Sequence, residues 1–261
     1  MPTVTTDGTA IQYEVAGDAD RPALAFLADA GFGPWSWGWQ APALTGPYRT
    51  VVHAARGTDG SDAAGPYTVD RLVADLEAVL ADAGVRRVHL VGAGLGGTVA
   101  LRYAREHDRA RSLTLIGAPP AGDDVDPDAL SALLPSDPTR LRESLSVAFS
   151  DAFLARTGLV GDVVEWRQTE DATGDALAGH RRALTSFEAG PLYELTLPTY
   201  VLHGRDDPVV PQSAGRALAE DLPRGRFEAV EGRRCCYVEH SAAVSDAVDR
   251  FVDEVTSDYG G

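Results

Sequence analysis

Short apolar runs of strand length alternate along most of this chain with longer segments in which apolar residues recur every three or four positions. Two alternating segments, Thr3–Thr6 and Ala10–Ala16, flank Asp7-Gly8 and predict an opening β-hairpin. Six apolar runs then predict the buried strands of a parallel sheet. These runs are Ala23–Ala28, Thr50–Ala54, Arg87–Val91, Ser112–Gly117, Thr199–His203 and Arg226–Val230.

The longer segments predict helices between the strands. One apolar stripe follows Thr68, a residue typical of a helix N-cap, and ends before Gly84. Its members are Val69, Leu72, Val73, Leu76, Val79 and Leu80. A second stripe between Val244 and Val255 predicts the closing helix. Because strands and helices alternate, the pattern predicts an α/β fold with a mostly parallel sheet.

Residues 122–190 interrupt this alternation. They are rich in aspartate and proline, show helical periodicity and contain no convincing strand. We therefore expect residues 1–121 and 191–261 to form one α/β core, and residues 122–190, the cap segment, to form a helical insertion over its sheet. A length of 261 residues fits one large domain of this kind.

The charge balance is strongly acidic, with 39 acidic residues against 23 basic ones and a formal net charge of −16. Every basic residue is an arginine, and 26 aspartates outnumber 13 glutamates. This composition is typical of a salt-adapted archaeal or bacterial cytosol, where an acidic surface stays hydrated while molar salt screens its self-repulsion. It argues against nucleic acids and anionic membranes as partners.

The sequence also predicts a soluble, cytoplasmic protein without a metal or cofactor. No apolar run approaches the length of a membrane span, and the first residues have neither the basic end nor the apolar core of an export signal. Cys235 and Cys236 are adjacent, so they cannot join distant parts of the chain, and no Cys or His spacing indicates zinc. Both cysteines are expected to be buried.

The stretch Val91–Ala100 reads VGAGLGGTVA and fits two motifs. In the first, Gly92, Gly94 and Gly97 form the G-x-G-x-x-G turn of a dinucleotide-binding protein. In the second, Gly92 and Gly96 frame a G-x-S-x-G nucleophile elbow in which the serine has become Gly94. A dinucleotide site needs an acidic residue about 20 positions later, at the tip of the next strand. The segment Leu115–Pro119 contains none, which favours the elbow.

Four ordered motifs extend the second interpretation over nearly the whole chain, and with them the chain resembles the α/β-hydrolase family. The stretches that carry the resemblance are FLADAGFGPWSW, VVHAARGTDGSD, HGRDDPVVP and EGRRCCYVEHS, in addition to the elbow. The resemblance implies a mostly parallel sheet of eight strands flanked by helices, with a helical cap inserted between the sixth and seventh strands.

The resemblance also assigns the three positions of a catalytic triad. The nucleophile position falls on Gly94, the acid on Asp207 and the histidine on Arg234. Glycine has no side chain to attack a carbonyl group, and arginine cannot act as a base at neutral pH. The ordinary acyl-enzyme route is therefore closed. Arg234 is expected either to form a bidentate ion pair with Asp207 or to point to solvent.

The oxyanion hole consists of backbone N–H groups, which by resemblance are those of Leu95 and Phe32. We expect Gly94 to have a positive φ and both N–H groups to face a common cavity. Gly31 and Trp35 complete the predicted ligand-binding set, although Trp35 could equally pack against the first helix. On this interpretation, a serine at position 94 and a histidine at position 234 would together regenerate a triad with Asp207.

Three functions remain open at this stage. The first is a non-hydrolytic pseudo-hydrolase that binds a small carbonyl or carboxylate ligand under its cap. The second is an active ester, lactone or C–C bond hydrolase that uses nonstandard residues, for which Cys235, Cys236 and His240 are weak candidates. The third is a protein-interaction scaffold. The ligand and the oligomeric state stay open.

Overall fold

The apolar runs form a single sheet in the computed structural model, which describes residues 1–155 and 158–258. Over these residues the strands are β1 (Thr3–Thr6), β2 (Thr9–Ala16), β3 (Ala23–Leu27), β4 (Arg49–His53), β5 (Val88–Ala93), β6 (Ala110–Ile116), β7 (Thr199–Gly204) and β8 (Gly225–Val230). Their order across the sheet is β1-β2-β4-β3-β5-β6-β7-β8. β1 pairs antiparallel with β2, and β2 with β4, while all other pairs are parallel.

Helices cover both faces of the sheet. Among the described residues they are α1 (Gln40–Leu44), α2 (Val69–Asp82), α3 (Leu95–Glu106), α4 (Pro127–Leu133), α5 (Leu141–Ala148), α6 (Asp151–Leu154), α7 (Leu159–Glu170), α8 (Gly174–Thr185), α9 (Gln212–Asp221), α10 (Cys236–Glu239) and α11 (Ser241–Asp258). Short 3-10 helices occupy Pro34–Trp37, Gly122–Asp124, Pro138–Arg140 and Leu192–Glu194. The α/β-hydrolase arrangement expected from the sequence is confirmed.

Helix α2 shows how the local sequence determines where a helix begins and ends. The hydroxyl of Thr68 accepts a hydrogen bond from the backbone N–H of Arg71, as an N-cap residue does. The helix ends at Asp82, and Gly84 follows with a φ of 67° that favours glycine. Its apolar stripe is buried against the sheet, so the predicted pattern and the observed helix agree.

The central strand β5 is buried along its whole length, which accounts for its continuous apolar run. It extends to Ala93, beyond the predicted limit at Val91, and α3 begins at Leu95. The turn between them is therefore a single residue, Gly94. Such a tight connection requires an unusual backbone conformation at that residue.

Between β6 and β7, the cap segment contributes α4 to α8 and no strand among its described residues. An isolated bridge between Ala121 and Glu188 joins its two ends. Within residues 1–155 and 158–258, none of the helices is both long and apolar enough to cross a bilayer.

Candidate functional site

The turn at Gly94 stands at the carboxyl end of β5. Its φ of 45° confirms the predicted positive value. A Cβ built on Gly92 would overlap the carbonyl oxygen of Gly96, and one built on Gly96 would overlap that of Leu27. The outer glycines therefore let α3 approach β5 and β3 closely. The glycine pattern is explained by this packing, without a dinucleotide.

Asp29 fills the space beside this turn, and the sequence reasoning missed it. The residue follows β3 and is 4% exposed. Its Oδ1 accepts hydrogen bonds from the N–H groups of Ala30 at 2.7 Å and Leu95 at 3.0 Å. A Cβ built on Gly94 would overlap this same oxygen. The Asp29 carboxylate thus occupies the place where a side chain at position 94 would begin.

Arg234 holds this carboxylate in a bidentate ion pair. Its Nε lies 2.7 Å from Oδ2 of Asp29, and its Nη2 lies 3.1 Å from Oδ1. Its Nη1 donates to the carbonyl oxygen of Gly117 at 2.6 Å and to Oδ2 of Asp207 at 3.1 Å. At 3% exposure the side chain does not point to solvent. The expected ion pair with Asp207 is present, but it is formed through Nη1 alone, because Asp29 takes the bidentate position.

Asp207 occupies the loop after β7, where the resemblance put the acid. Its second oxygen, Oδ1, accepts hydrogen bonds from the N–H groups of Val209 at 2.8 Å and Val210 at 3.2 Å. One arginine therefore links two buried carboxylates, and backbone N–H groups donate to Oδ1 of each. We call Asp29, Arg234 and Asp207 the ion-pair network.

The electrostatics of the ion-pair network keep Arg234 charged. Burial by itself lowers the pKa of Arg234, but the charges of Asp29 and Asp207 outweigh burial and leave that pKa above its usual value. The guanidinium cannot accept a proton in this setting. Position 234, to which the resemblance assigns a base, therefore carries a permanent cation.

The predicted oxyanion donors are already bound inside the protein. The N–H of Leu95 donates to the Asp29 carboxylate, and the N–H of Phe32 donates to the Asp29 carbonyl oxygen at 3.0 Å. The expected common cavity in front of both N–H groups is not formed, because Asp29 contacts both donors. A ligand-binding role for Phe32, Leu95, Gly31 and Trp35 stays a prediction.

His180, on α8 of the cap segment, fixes the loop that contains Gly31. Its Nδ1 accepts a hydrogen bond from the N–H of Gly31 at 3.0 Å, so its Nε2 carries the proton and donates to the carbonyl oxygen of Arg56 at 3.0 Å. Burial lowers the pKa of His180 to about 4. The neutral ring joins α8 to two loops, a role that the sequence did not reveal.

Trp35 packs against the end of α7. Its Nε1 donates to Asp171 at 2.7 Å, and its backbone N–H donates to Glu170 at 2.6 Å. Its ring lies 6.5 Å from that of Trp166, centroid to centroid. Trp35 therefore packs, but its observed partners belong to α7 and to Asp171 after it, whereas the expected partner was the first helix.

Cys235, Cys236 and His240, the weak candidates from the sequence, lack the features of a catalytic nucleophile or base. Cys235 and Cys236 are buried as expected, and burial raises the pKa of Cys236 to about 12 and that of Cys235 well above its usual value. Neither thiol is ionised near neutral pH. His240 caps α10 and lies 3.7 Å from Glu239, outside the ion-pair network.

Within residues 1–155 and 158–258, no group of three or more His, Cys, Asp or Glu side chains is placed to hold a metal ion.

Residues 24–254 match the Alpha/beta hydrolase family, and the chain belongs to that family. It is 28% identical over 253 residues to "Putative carbamate hydrolase RutD" of Stutzerimonas stutzeri, covering 91% of this chain and 92% of that protein. It is 26% identical over 257 residues to 3-oxoadipate enol-lactonase 2 of Acinetobacter baylyi, covering 95% and 94%.

Solved structures show the same fold. The crystal structure of the enol-lactonase from Burkholderia xenovorans LB400 superimposes with a TM-score of 0.86 at 21% identity, covering 97% of this chain and all of that one (100%). A hydrolase from Pseudomonas aeruginosa PA01 gives a TM-score of 0.84 at 29% identity, covering 95% and 96%.

Gly94→Ala tests the position of the Asp29 carboxylate. The new methyl group would displace Asp29 or Arg234, and disrupting such a buried pair costs about 3–5 kcal/mol. The matched control is Gly84→Ala, which has a similar positive φ but nothing within 4 Å of the added Cβ, so it bears only the backbone cost of about 1–2 kcal/mol. We expect denaturant unfolding to show a clearly larger loss for Gly94→Ala. Equal losses would place the carboxylate elsewhere.

His180 predicts a loss of stability in mild acid. Its pKa is lower in the folded protein than in the unfolded chain, so the unfolded chain takes up the proton first as the pH falls below about 6.5. This one residue should remove about 2 kcal/mol of the unfolding free energy between pH 7 and pH 5. In His180→Gln, the difference between the unfolding free energies at pH 7 and pH 5 should be smaller by that amount. An unchanged difference would show that His180 does not bury a neutral ring.

Proposed function

We propose that this chain is a non-hydrolytic member of its family, a pseudo-hydrolase that binds a small carbonyl or carboxylate ligand under its cap. The observation that carries the proposal is the position of the Asp29 carboxylate. It takes the space of a nucleophile side chain and binds the N–H of Leu95, so it replaces both the attacking group and the oxyanion. Asp29 therefore acts as an internal occupant of the former catalytic centre.

The missing base supports the same conclusion. Hydrolysis by this fold needs a group that removes a proton from the nucleophile and later returns it to the leaving group. Arg234 stays protonated, and its N–H groups are bound to Asp29, Asp207 and Gly117. A proton relay through position 234 is excluded by this chemistry.

The cap segment offers a place for the ligand. A cavity of about 270 Å³ lies between the cap helices, and Leu134 and Leu177 line it. The same two leucines face Gly31, since a Cβ built there would lie 2.7 Å from Leu177 Cδ1 and 3.3 Å from Leu134 Cδ2. Gln168 and Thr173 also line the cavity and supply hydrogen-bond donors for a carbonyl or carboxylate oxygen. The ligand site has thus moved from the elbow into the cap.

The second candidate function is hydrolysis, which the names of the relatives favour. Both a carbamate hydrolase name and an enol-lactonase name occur among proteins that align over nine-tenths of this chain or more. For this chain to hydrolyse such substrates, Asp29 and Arg234 would have to separate and another nucleophile would have to enter the site. The scaffold function predicts neither turnover nor a small ligand.

The acidic composition belongs to the same proposal. We infer that the protein works in the cytoplasm of a salt-adapted cell, with a small molecule rather than a nucleic acid or a membrane as its partner. The formal charge of −16 and the absence of lysine support this setting. Experiments on function are therefore designed in molar KCl.

A turnover and binding screen separates the three functions. The protein in molar KCl should hydrolyse neither activated esters nor lactones nor carbamates above the buffer rate, and a fluorophosphonate probe should leave its serines unlabelled. Small carbonyl compounds and carboxylates should raise the midpoint of thermal unfolding, and Leu177→Trp, which fills the cap cavity, should abolish that shift. Saturable turnover would establish the hydrolase, and no shift with any compound would favour the scaffold.

Restoring activity should require three substitutions. A serine at position 94 would collide with the Asp29 carboxylate, so Gly94→Ser with Arg234→His should stay inactive. Adding Asp29→Ala frees the space and the Leu95 N–H beside the retained Asp207. Because triad residues act as a unit worth about 10⁶ in turnover, even a partial triad geometry should make the triple variant about 10²-fold faster on an activated ester than the double variant. A folded but inactive triple variant would contradict the assignment of Asp207.

A further inference from the structure

A second concave region lies at the opposite edge of the sheet, where the parallel strands begin. The candidate site described above occupies the carboxyl ends of β3, β5 and β7. At the amino ends of β3 to β6, a cavity of about 1070 Å³ is lined by strand-opening residues and by the turns before them. We call it the arginine basin, after five of its lining residues: Arg21, Arg49, Arg86, Arg87 and Arg111.

The charge of the arginine basin is the reverse of that of the whole chain. Acidic residues outnumber basic ones by 39 to 23 overall. In the lining of the basin, five arginines face a single acidic residue, Asp20. Guanidinium groups in one cavity repel one another. Although the protein is rich in carboxylates, the lining of the basin has too few to neutralise these charges. An anionic ligand would relieve the repulsion instead.

Several guanidinium N–H groups of the basin arginines are not engaged in hydrogen bonds within the described residues. Among the described residues, Arg86 and Arg87 make no hydrogen bond or ion pair and are exposed. Arg49 donates to the carbonyl oxygen of Ala83 at 2.8 Å, and Arg111 to that of Asp108 at 3.0 Å. These bonds to neutral carbonyl groups orient two guanidiniums without cancelling their charge.

The lining of the basin also includes a histidine that feels this positive charge. His89 is the second residue of β5 and bonds through Nδ1 to the hydroxyl of Ser112 at 2.8 Å. Burial, and then the charge of Arg111, lower the pKa of His89 to about 4. The ring is neutral at pH 7, and it lines the basin as a local reporter for an anion bound beside it.

We propose that the arginine basin is a binding site for a compact oligophosphate anion, the di- or triphosphate group of a small molecule. The guanidinium fork matches phosphate oxygens in bidentate geometry. Five arginines and one aspartate give the lining four net positive charges, comparable to the negative charge of a pyrophosphate or triphosphate. The net charge of −16 on the whole chain disfavours an extended polyanion such as a nucleic acid, which would reach beyond the basin onto the acidic surface.

Calorimetric titration with inorganic pyrophosphate and triphosphate tests the proposal. It is done at the lowest KCl concentration at which circular dichroism shows the native fold, because salt screens exposed charges. The unmodified protein should bind one equivalent of triphosphate. The variant Arg86→Gln/Arg87→Gln should bind it at least about tenfold more weakly, since two of the five cations are lost. Citrate, a compact polycarboxylate, should bind more weakly than triphosphate.

The matched control is Arg140→Gln/Arg142→Gln, an exposed pair on the cap segment that gives the same change in net charge. Its affinity should stay within about twofold of the unmodified protein, because the pair lies outside the basin. In proton NMR spectra, triphosphate should shift the ring resonances of His89, identified by their loss in His89→Gln. Absence of saturable binding overturns the proposal, as do equal losses in the two double variants. Citrate binding as tight as triphosphate binding overturns the assignment to phosphate.

Discussion

The ion pair between Arg234 and Asp29 is the interaction on which the candidate site depends. It joins the loop before α10 to the loop after β3, and the same guanidinium reaches Gly117 after β6 and Asp207 after β7. Charges buried this deeply are tolerated only when every partner is in place, because each lone ion would lose its hydration without compensation. The carboxyl edge of the sheet is therefore held together by one cation.

This network explains why Gly94, Asp29 and Arg234 belong together. Glycine at position 94 leaves the volume that the Asp29 carboxylate fills, and Asp29 in turn needs the cation of Arg234 and the N–H of Leu95. Each residue therefore removes a steric or electrostatic cost that the other two would otherwise carry. A change at one position alone would leave a buried charge unpaired or two groups in the same space, so the site is stable as a set.

The sequence predicted the strands, the Thr68 cap and the positive φ of Gly94, because these follow from local periodicity and from backbone sterics. It did not predict Asp29, which ends an apolar strand and looks like an ordinary loop residue. A signal was present: an acid between a buried strand and a glycine needs a partner, and Arg234 was an unexplained cation in a neighbouring loop. His180 gave no such signal, because its contact with Gly31 depends on how α8 packs over the core.

In the described part of the chain, charged groups are paired at the carboxyl edge of the sheet and partly unpaired at its amino edge. This difference indicates which edge can bind a charged ligand. At the carboxyl edge, two carboxylates share one guanidinium, and the backbone N–H groups of Leu95, Val209 and Val210 donate to those carboxylates, so the charged groups of the ion-pair network already have partners within the protein. At the amino edge, Arg86 and Arg87 have none among the described residues. Recognition of a charged ligand requires groups whose hydrogen bonds are still available. In this protein those groups lie away from the position of the family's triad.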